Sequence, residues 1–171
     1  MREIEGIRFR SPELIERALT HRSAGEESYE VLEFLGDSIV GFVVTEYLVR
    51  QYPDKREGEL SRLRASIVNR QTLGEAALRL GLDPLLRLGP SERHKEPIER
   101  LSILADVYEA VVGAIYLDRG LEVARKFVKN TLLAIIELSI EAPKDPKTLL
   151  QELAMKETGT LPTYKLMSKS G

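Results

Sequence analysis

Apolar positions along this chain recur at helical spacing far more often than they alternate, and they divide its first part into five helical stretches. Leu14, Ile15, Ala18 and Leu19 recur three and four residues apart, the pattern of one face of a helix. Ser11-Pro12 opens that helix with a hydroxyl to cap the free N–H groups and a proline at the first helical position. It is expected to run to about His21. The polar stretch Ser23 to Ser28 breaks the pattern, and Tyr29 to Gln51 is then almost continuously apolar, interrupted by Glu30, Glu33, Asp37 and Glu46. Its length favours a buried helix over a strand. Tyr52-Pro53-Asp54 ends it, since a residue before proline is pushed out of helical geometry. A third helix is expected from about Gly58 to Leu80, closed by Gly81 and rich in arginine at Arg62, Arg64, Arg70 and Arg79. After a short apolar segment, Leu85 to Leu88, and a charged loop, Gly89 to Glu96, Pro97 opens a fourth helix. That helix carries Ile103, Leu104, Val107, Ala110, Val111 and Ala114 and runs to about Leu117. Asp118-Arg119-Gly120 turns the chain into a last long helix ending near Glu141.

No repeat, low-complexity segment or strand is expected in residues 1–142, so the class is all-α. Ala142-Pro143-Lys144-Asp145-Pro146 is a linker by composition. Beyond it, Lys147 to Glu157 reads as a short helix and Thr163 to Met167 as a strand. One helix and one strand cannot bury a core alone. The chain is therefore divided into a helical domain, 1–142, and a linker with the opening of a second domain, 143–171.

Acids interrupt this helical pattern at telling places. Glu30, Glu33 and Asp37 stand at i, i+3 and i+7, which at about 100° per residue places them within an arc of roughly 60°. Asp106 and Glu109 repeat the i, i+3 spacing inside Leu104-Ala105-Asp106-Val107-Tyr108-Glu109-Ala110. A carboxylate in apolar surroundings is costly unless it is paired or holds a metal. Taken singly, each acid is more often a surface group paired with a nearby arginine. Taken together, inward-facing acids on two helices are how helical bundles build divalent-metal sites, and no Glu-x-x-His motif is present to favour iron. Carboxylate ligation suits Mg²⁺ or Mn²⁺, and such ions support attack on a phosphodiester. Phosphatases and other hydrolases use the same elements, so spacing alone leaves the substrate open.

Composition narrows the metal and the compartment. The 171 residues contain no cysteine, which excludes disulfides and thiolate ligands and leaves oxygen or the two histidines, His21 and His94, as donors. No apolar run approaches the roughly 20 residues that span a bilayer, and the opening MREIEGIRFR lacks an apolar secretory core. A cytoplasmic protein with no membrane partner is expected. Net charge is only −2, which argues against a polycation that coats nucleic acid. From Pro143 onward five lysines face Asp145, Glu152 and Glu157, giving +2, so residues 1–142 hold 20 basic against 24 acidic groups, or −4.

The run Glu30-Val31-Leu32-Glu33-Phe34-Leu35-Gly36-Asp37-Ser38 resembles the defining motif of the ribonuclease III family. Lys55 to Ser61, Leu63-Arg64-Ala65-Ser66 and Ser102 to Ala110 are similar to the family's further blocks and follow in its order. The likeness covers residues from about 5 to 141, and Asp145 to Glu152 continues it as the start of a double-stranded-RNA-binding domain. One stretch departs: where the family usually has a glycine-rich approach to the Ser-Ile-Leu-Ala-Asp block, this chain has Ser91 to Arg100, including His94, which is expected to face solvent. The resemblance implies a helical, dimeric endonuclease domain followed by an incomplete α/β double-stranded-RNA-binding domain. It implies metal ligation by Glu33, Asp106 and Glu109, with Asp37 as the other catalytic carboxylate. Glu30 and Glu57 match acidic positions nearer the RNA, Phe34 an aromatic that inserts into the partner subunit, and Gln151 a minor-groove contact. Arg62, Arg64, Lys55 and Arg56 are candidate phosphate contacts, though each is equally suited to surface ion pairing.

The activity so implied is Mg²⁺-dependent hydrolysis of double-stranded RNA, with Mn²⁺ able to substitute. Products would carry 5′-phosphate and 3′-hydroxyl ends, and the setting would be rRNA and mRNA processing by a homodimer. Two other readings stay open at this point: a non-cleaving RNA-binding scaffold, whose expected mark is loss of a metal-binding acid, and a helical hydrolase of nucleotides.

Overall fold

A computed structural model describes residues 3–25, 27–92 and 96–134. The expected linker, the second-domain segment 143–171, Gln151 and His94 lie outside the described residues. The chain opens with a feature that helical periodicity hides, a hairpin of β1 (Glu3–Ile4) and β2 (Ile7–Arg8), with Ile4 opposite Ile7. Glu5 and Gly6 turn it at φ 48° and 73°, the left-handed pair that a two-residue hairpin needs. The expectation of no strand before residue 142 is thus corrected. Strands of two residues are too short for alternation to register.

Among the described residues six α-helices follow: α1 (Pro12–Ala18), α2 (Glu30–Gln51), α3 (Glu57–Ile67), α4 (Arg70–Arg79), α5 (Pro97–Arg119) and α6 (Leu121–Val128), the last running into a π turn, Lys129–Leu133. Short 3₁₀ turns at Asp83–Leu85 and Pro90–Glu92 occupy the connection before α5. Helix α1 stops short of His21 because the next residues pair elsewhere. The His21 N–H donates to the Arg87 carbonyl at 3.0 Å, and the Arg87 N–H to the Leu19 carbonyl at 2.8 Å. Nor does the Ser11 hydroxyl cap α1. Asp118, near the end of α5, does the work instead, accepting from the backbone N–H groups of Arg10 at 2.9 Å and Ser11 at 2.8 Å.

The expected third helix is two helices. Asn69 is extended, at φ −132° and ψ 158°, and its Oδ1 accepts from the Thr72 N–H at 3.0 Å. An asparagine offers the backbone that alternative to a helical bond, so α3 ends at Ile67 and α4 restarts at Arg70 in a new direction.

Helix α5 is the centre of the domain, packed on α2, α4, α6 and α1. Val107, Tyr108, Ala110, Val111, Val112, Ala114 and Ile115 are fully buried, as expected of a helix apolar on nearly every side. The Tyr108 hydroxyl is not stranded there. Thr131 donates to the Phe127 carbonyl at 2.8 Å, so Tyr108 donates to Thr131 Oγ1, also at 2.8 Å. Among the described residues no helix is long and apolar enough to cross a membrane.

Where α2 and α5 cross, glycine lets their backbones touch. A Cβ on Gly36 would overlap the Glu109 carbonyl, and one on Gly113 would overlap the Leu32 carbonyl. Gly36→Ala is expected to lower stability by about 1–3 kcal/mol through overpacking. Gly41→Ala, on the same helix with nothing within 4 Å of the added carbon, should raise it by about 0.5–1 kcal/mol. Urea unfolding of both variants checks the pair, and equal effects would show that the crossing is not tight.

Candidate active site

Glycine contact carries the acids with it. Gly36 is three residues beyond Glu33, and Gly113 four beyond Glu109, so the closest approach of the helices lies about one turn from each carboxylate. One carboxylate oxygen from each of Glu33, Asp106 and Glu109 lies within 4.8 Å of the others. All three side chains are half-buried. Among the described residues none of them accepts a hydrogen bond or forms a salt bridge. No hydrogen bond or salt bridge among the described residues therefore offsets their desolvation. That desolvation raises all three carboxyls above their ordinary range, and for Glu109 burial, then repulsion from Asp37, Glu33 and Asp106, pushes the pKa up to about 8. Asp37 is exposed, one turn along α2 from Glu33, and is the strongest of the charges repelling Glu109.

A cleft of about 350 Å³ leads to Glu33 and Asp106, lined also by His21, Tyr29, Glu30 and Ser102. Burial and the neighbouring acids hold the Tyr29 hydroxyl protonated, and its ring meets His21 edge-on with centroids 5.6 Å apart. His21 Nδ1 lies 2.8 Å from Ser23 Oγ and accepts from the Ser23 N–H at 3.1 Å. Glu30 sits at the rim, accepting from Ser28 Oγ at 3.1 Å and pairing with Arg22 at 3.5 Å. Arg70, at the start of α4, opposes the upward shift of all three central acids. Its position was legible only as one arginine among several. The break at Asn69, which brings it here, was not.

The remaining sequence-derived candidates stand elsewhere. Glu57 and Arg64 line a second cleft, about 360 Å³, between α3 and the Thr45–Val49 part of α2, and Thr45 is eight residues beyond Asp37, about 12 Å along the helix. Glu57 accepts from Ser61 Oγ at 2.6 Å, and Arg64 donates to Thr45 Oγ1 at 3.4 Å. Arg62 is exposed on α3. Lys55 pairs with Glu59 at 3.2 Å, and the Arg56 N–H donates to Glu59 at 3.3 Å. Within one chain these groups do not reach the carboxylate cluster. Phe34 is 79% exposed, on the α2 face beside the acids.

Comparison with known proteins places the chain in a family. Residues 11–136 match the family model described as Ribonuclease-III-like. The chain is 47% identical over 170 residues to Ribonuclease 3 of Nitrosococcus oceani, covering 97% of this chain and 73% of that protein. It is 46% identical over 163 residues to Ribonuclease 3 of Coxiella burnetii, covering 94% and 70%. Among solved structures, the nuclease domain of ribonuclease III from Campylobacter jejuni, described as flexible in a region involved in dimer formation, superposes with a TM-score of 0.70 at 36% identity. That match covers 74% of this chain and 89% of that one. Dicer from Giardia superposes with a TM-score of 0.60 at 28% identity, over 71% of this chain and 16% of that one. With the family model matched across both helices that carry the acids, the chain belongs to the ribonuclease III family and is an endoribonuclease.

Proposed function

We propose that the chain hydrolyses double-stranded RNA with Mg²⁺, or Mn²⁺ in its place, held by Glu33, Asp106 and Glu109. The observation that carries this reading is the convergence, within 4.8 Å, of three carboxylates from α2 and α5 that are unpaired among the described residues. The donor set is oxygen alone, as a hard cation requires. When bound, such an ion supplies a Lewis acid for the phosphodiester and an activated water.

The chain's own residues do the rest. Asp37, exposed beside Glu109, orients the attacking water and accepts its proton. Glu109 holds its place against both α2 acids and completes the charge that fixes the cation. Attack at phosphorus breaks the bond to O3′, which leaves with a proton, so one fragment carries a 5′-phosphate and the other a 3′-hydroxyl. Glu30, Glu57, Arg62 and Arg64 border the RNA path, and Gln151, in the RNA-binding segment 143–171, reaches its minor groove. The catalytic domain spans 1–142. Recognition rests on A-form shape, phosphates and 2′-hydroxyls, because the deep major groove hides base identity. The setting is cytoplasmic rRNA and mRNA processing.

A duplex presents two strands, and a homodimer offers one site for each. Helix α2 supports that assembly, since Val31, Phe34, Phe42 and Val49 are 63%, 79%, 49% and 52% exposed and fall within an arc of about 80°. That stripe adjoins the acidic face. A ribonuclease III structure described in terms of dimer formation points the same way.

Three outcomes test this reading. Glu109→Gln, which keeps the side chain's size, should cost several orders of magnitude in cleavage of duplex RNA with fold and dimer intact; near-normal cleavage of duplex RNA by this variant overturns the assignment. Phe34→Ala should raise the dimer dissociation constant about tenfold or more, read by light scattering across dilution, and a wild-type monomer with full activity at micromolar concentration would refute the dimer. The third outcome concerns pH. Folding raises the Glu109 pKa from 4.5 to about 8, so between those values the native state holds a proton that the unfolded chain has released. Stability from this group is therefore full below the unfolded value and is lost as pH rises through the folded one. Without metal, the melting temperature should fall from pH 5 to pH 8.5, and Mg²⁺ should restore most of it at the upper end, where the acids are free to ligate. Glu109→Gln should flatten that dependence.

A further inference from the structure

One cation at the acidic cluster has no part in the reading above. Arg70 is the first residue of α4 and is exposed, and its Nη1 donates a hydrogen bond to Ser102 Oγ on α5. Ser102 lies one turn before Asp106 and lines the same cleft. Arg70's charge reaches Glu33, Asp106 and Glu109, yet among the described residues it forms an ion pair with none of them. An arginine close to carboxylates ordinarily forks onto one, its strongest pairing. Here a neutral hydroxyl holds it, which leaves its charge and most of its five N–H donors to another anion.

Helix stability does not account for the placement. A cation in the first turn works against the helix dipole, and the first turn of α4 contains no acid to offset it. Nor does the exposed side chain fill the core. What the position does supply is positive charge beside a cluster that otherwise repels a polyanion.

Building on the duplex-RNA reading, we propose that Arg70, steered by Ser102, binds a backbone phosphate of the duplex at the edge of the carboxylate cluster. Arg70 is then a substrate-binding residue, and Ser102 is a positioning residue that aims it. The competing role is a screening cation for the acids, displaced once a divalent ion arrives. That role predicts an altered Mg²⁺ requirement and unchanged affinity for RNA.

Binding is measured on the full chain carrying Glu109→Gln, so that the RNA stays whole, by fluorescence anisotropy with a short blunt duplex across a range of KCl. Adding Arg70→Ala should weaken binding about tenfold whatever the RNA sequence, and should make the log–log salt dependence shallower by about 1 for each Arg70 engaged. Arg70→Lys should keep the slope and part of the affinity, which also guards against a folding defect in the alanine variant. Ser102→Ala should fall between. With Glu109 intact, Arg70→Ala should raise KM far more than it lowers kcat. If the Glu109→Gln parent binds duplex RNA and Arg70→Ala leaves its affinity and slope unchanged, the Arg70 assignment alone is overturned. If the parent binds no duplex RNA, the substrate reading falls and this assignment with it.

Discussion

Gly36 of α2 lies against the Glu109 carbonyl of α5, and Gly113 of α5 lies against the Leu32 carbonyl of α2. This reciprocal contact decides what the acids can do. Helix axes usually stand 8–10 Å apart, and side chains at the crossing would hold them there. With a hydrogen in place of each Cβ the backbones meet, so carboxylates one turn away face each other at less than 5 Å. Repulsion among those carboxylates works to open the same crossing. It is opposed by Leu32, Val40, Val43 and Val44 of α2 packed in one core with Val107, Val111 and Ile115 of α5. A cluster this unfavourable persists only because the apolar contact around it is extensive, and a bound cation would turn the opposing term into a favourable one.

Much of this centre was legible in the chain, for a physical reason. Charged residues inside an apolar helix cannot be explained by the helix itself, so Glu33, Asp37, Asp106 and Glu109 stand out against Leu32, Val40, Val107 and Val111. The helical spacing then states which of them share a face. Long periodic elements were equally plain, and α2 and α5 lie within two residues of their expected bounds. What periodicity could not carry was short or tertiary. Two-residue strands give no alternation, although Glu5-Gly6 between Ile4 and Ile7 is a usable turn signal. The end of α1 depends on Arg87, far away in sequence. The cap on that helix comes from Asp118 rather than from Ser11.

The break between α3 and α4 shows how a local detail reaches the site. Read as one helix, residues 58–80 place Arg62, Arg64 and Arg70 on a single rod, and all three look like surface cations. Asn69 leaves helical geometry and caps the next segment, so α4 turns to pack along α5, where a Cβ on Gly74 would lie 2.6 Å from the Leu101 carbonyl. Arg70 is carried to Ser102, while Arg64 remains near Thr45 at the far part of α2. One extended residue thus separates two groups of arginines that composition treats as alike.

Helix α2 serves three surroundings at once, and its pattern explains why no simple amphipathic stripe describes it. Leu32, Gly36, Ile39, Val40 and Val43 face the core, Glu30 and Glu33 face the cleft with Asp37 exposed on the same arc, and Val31, Phe34, Phe42 and Val49 face outward. Adjacent arcs of one rigid rod cannot move independently. Anything that seats on the outward arc therefore fixes the rotation of the acidic arc, and anything that draws Glu33 toward Asp106 and Glu109 acts on the same rod. Phe34 and Glu33 are neighbours in the chain, so the outward arc and the acidic arc are one residue apart on the same helix.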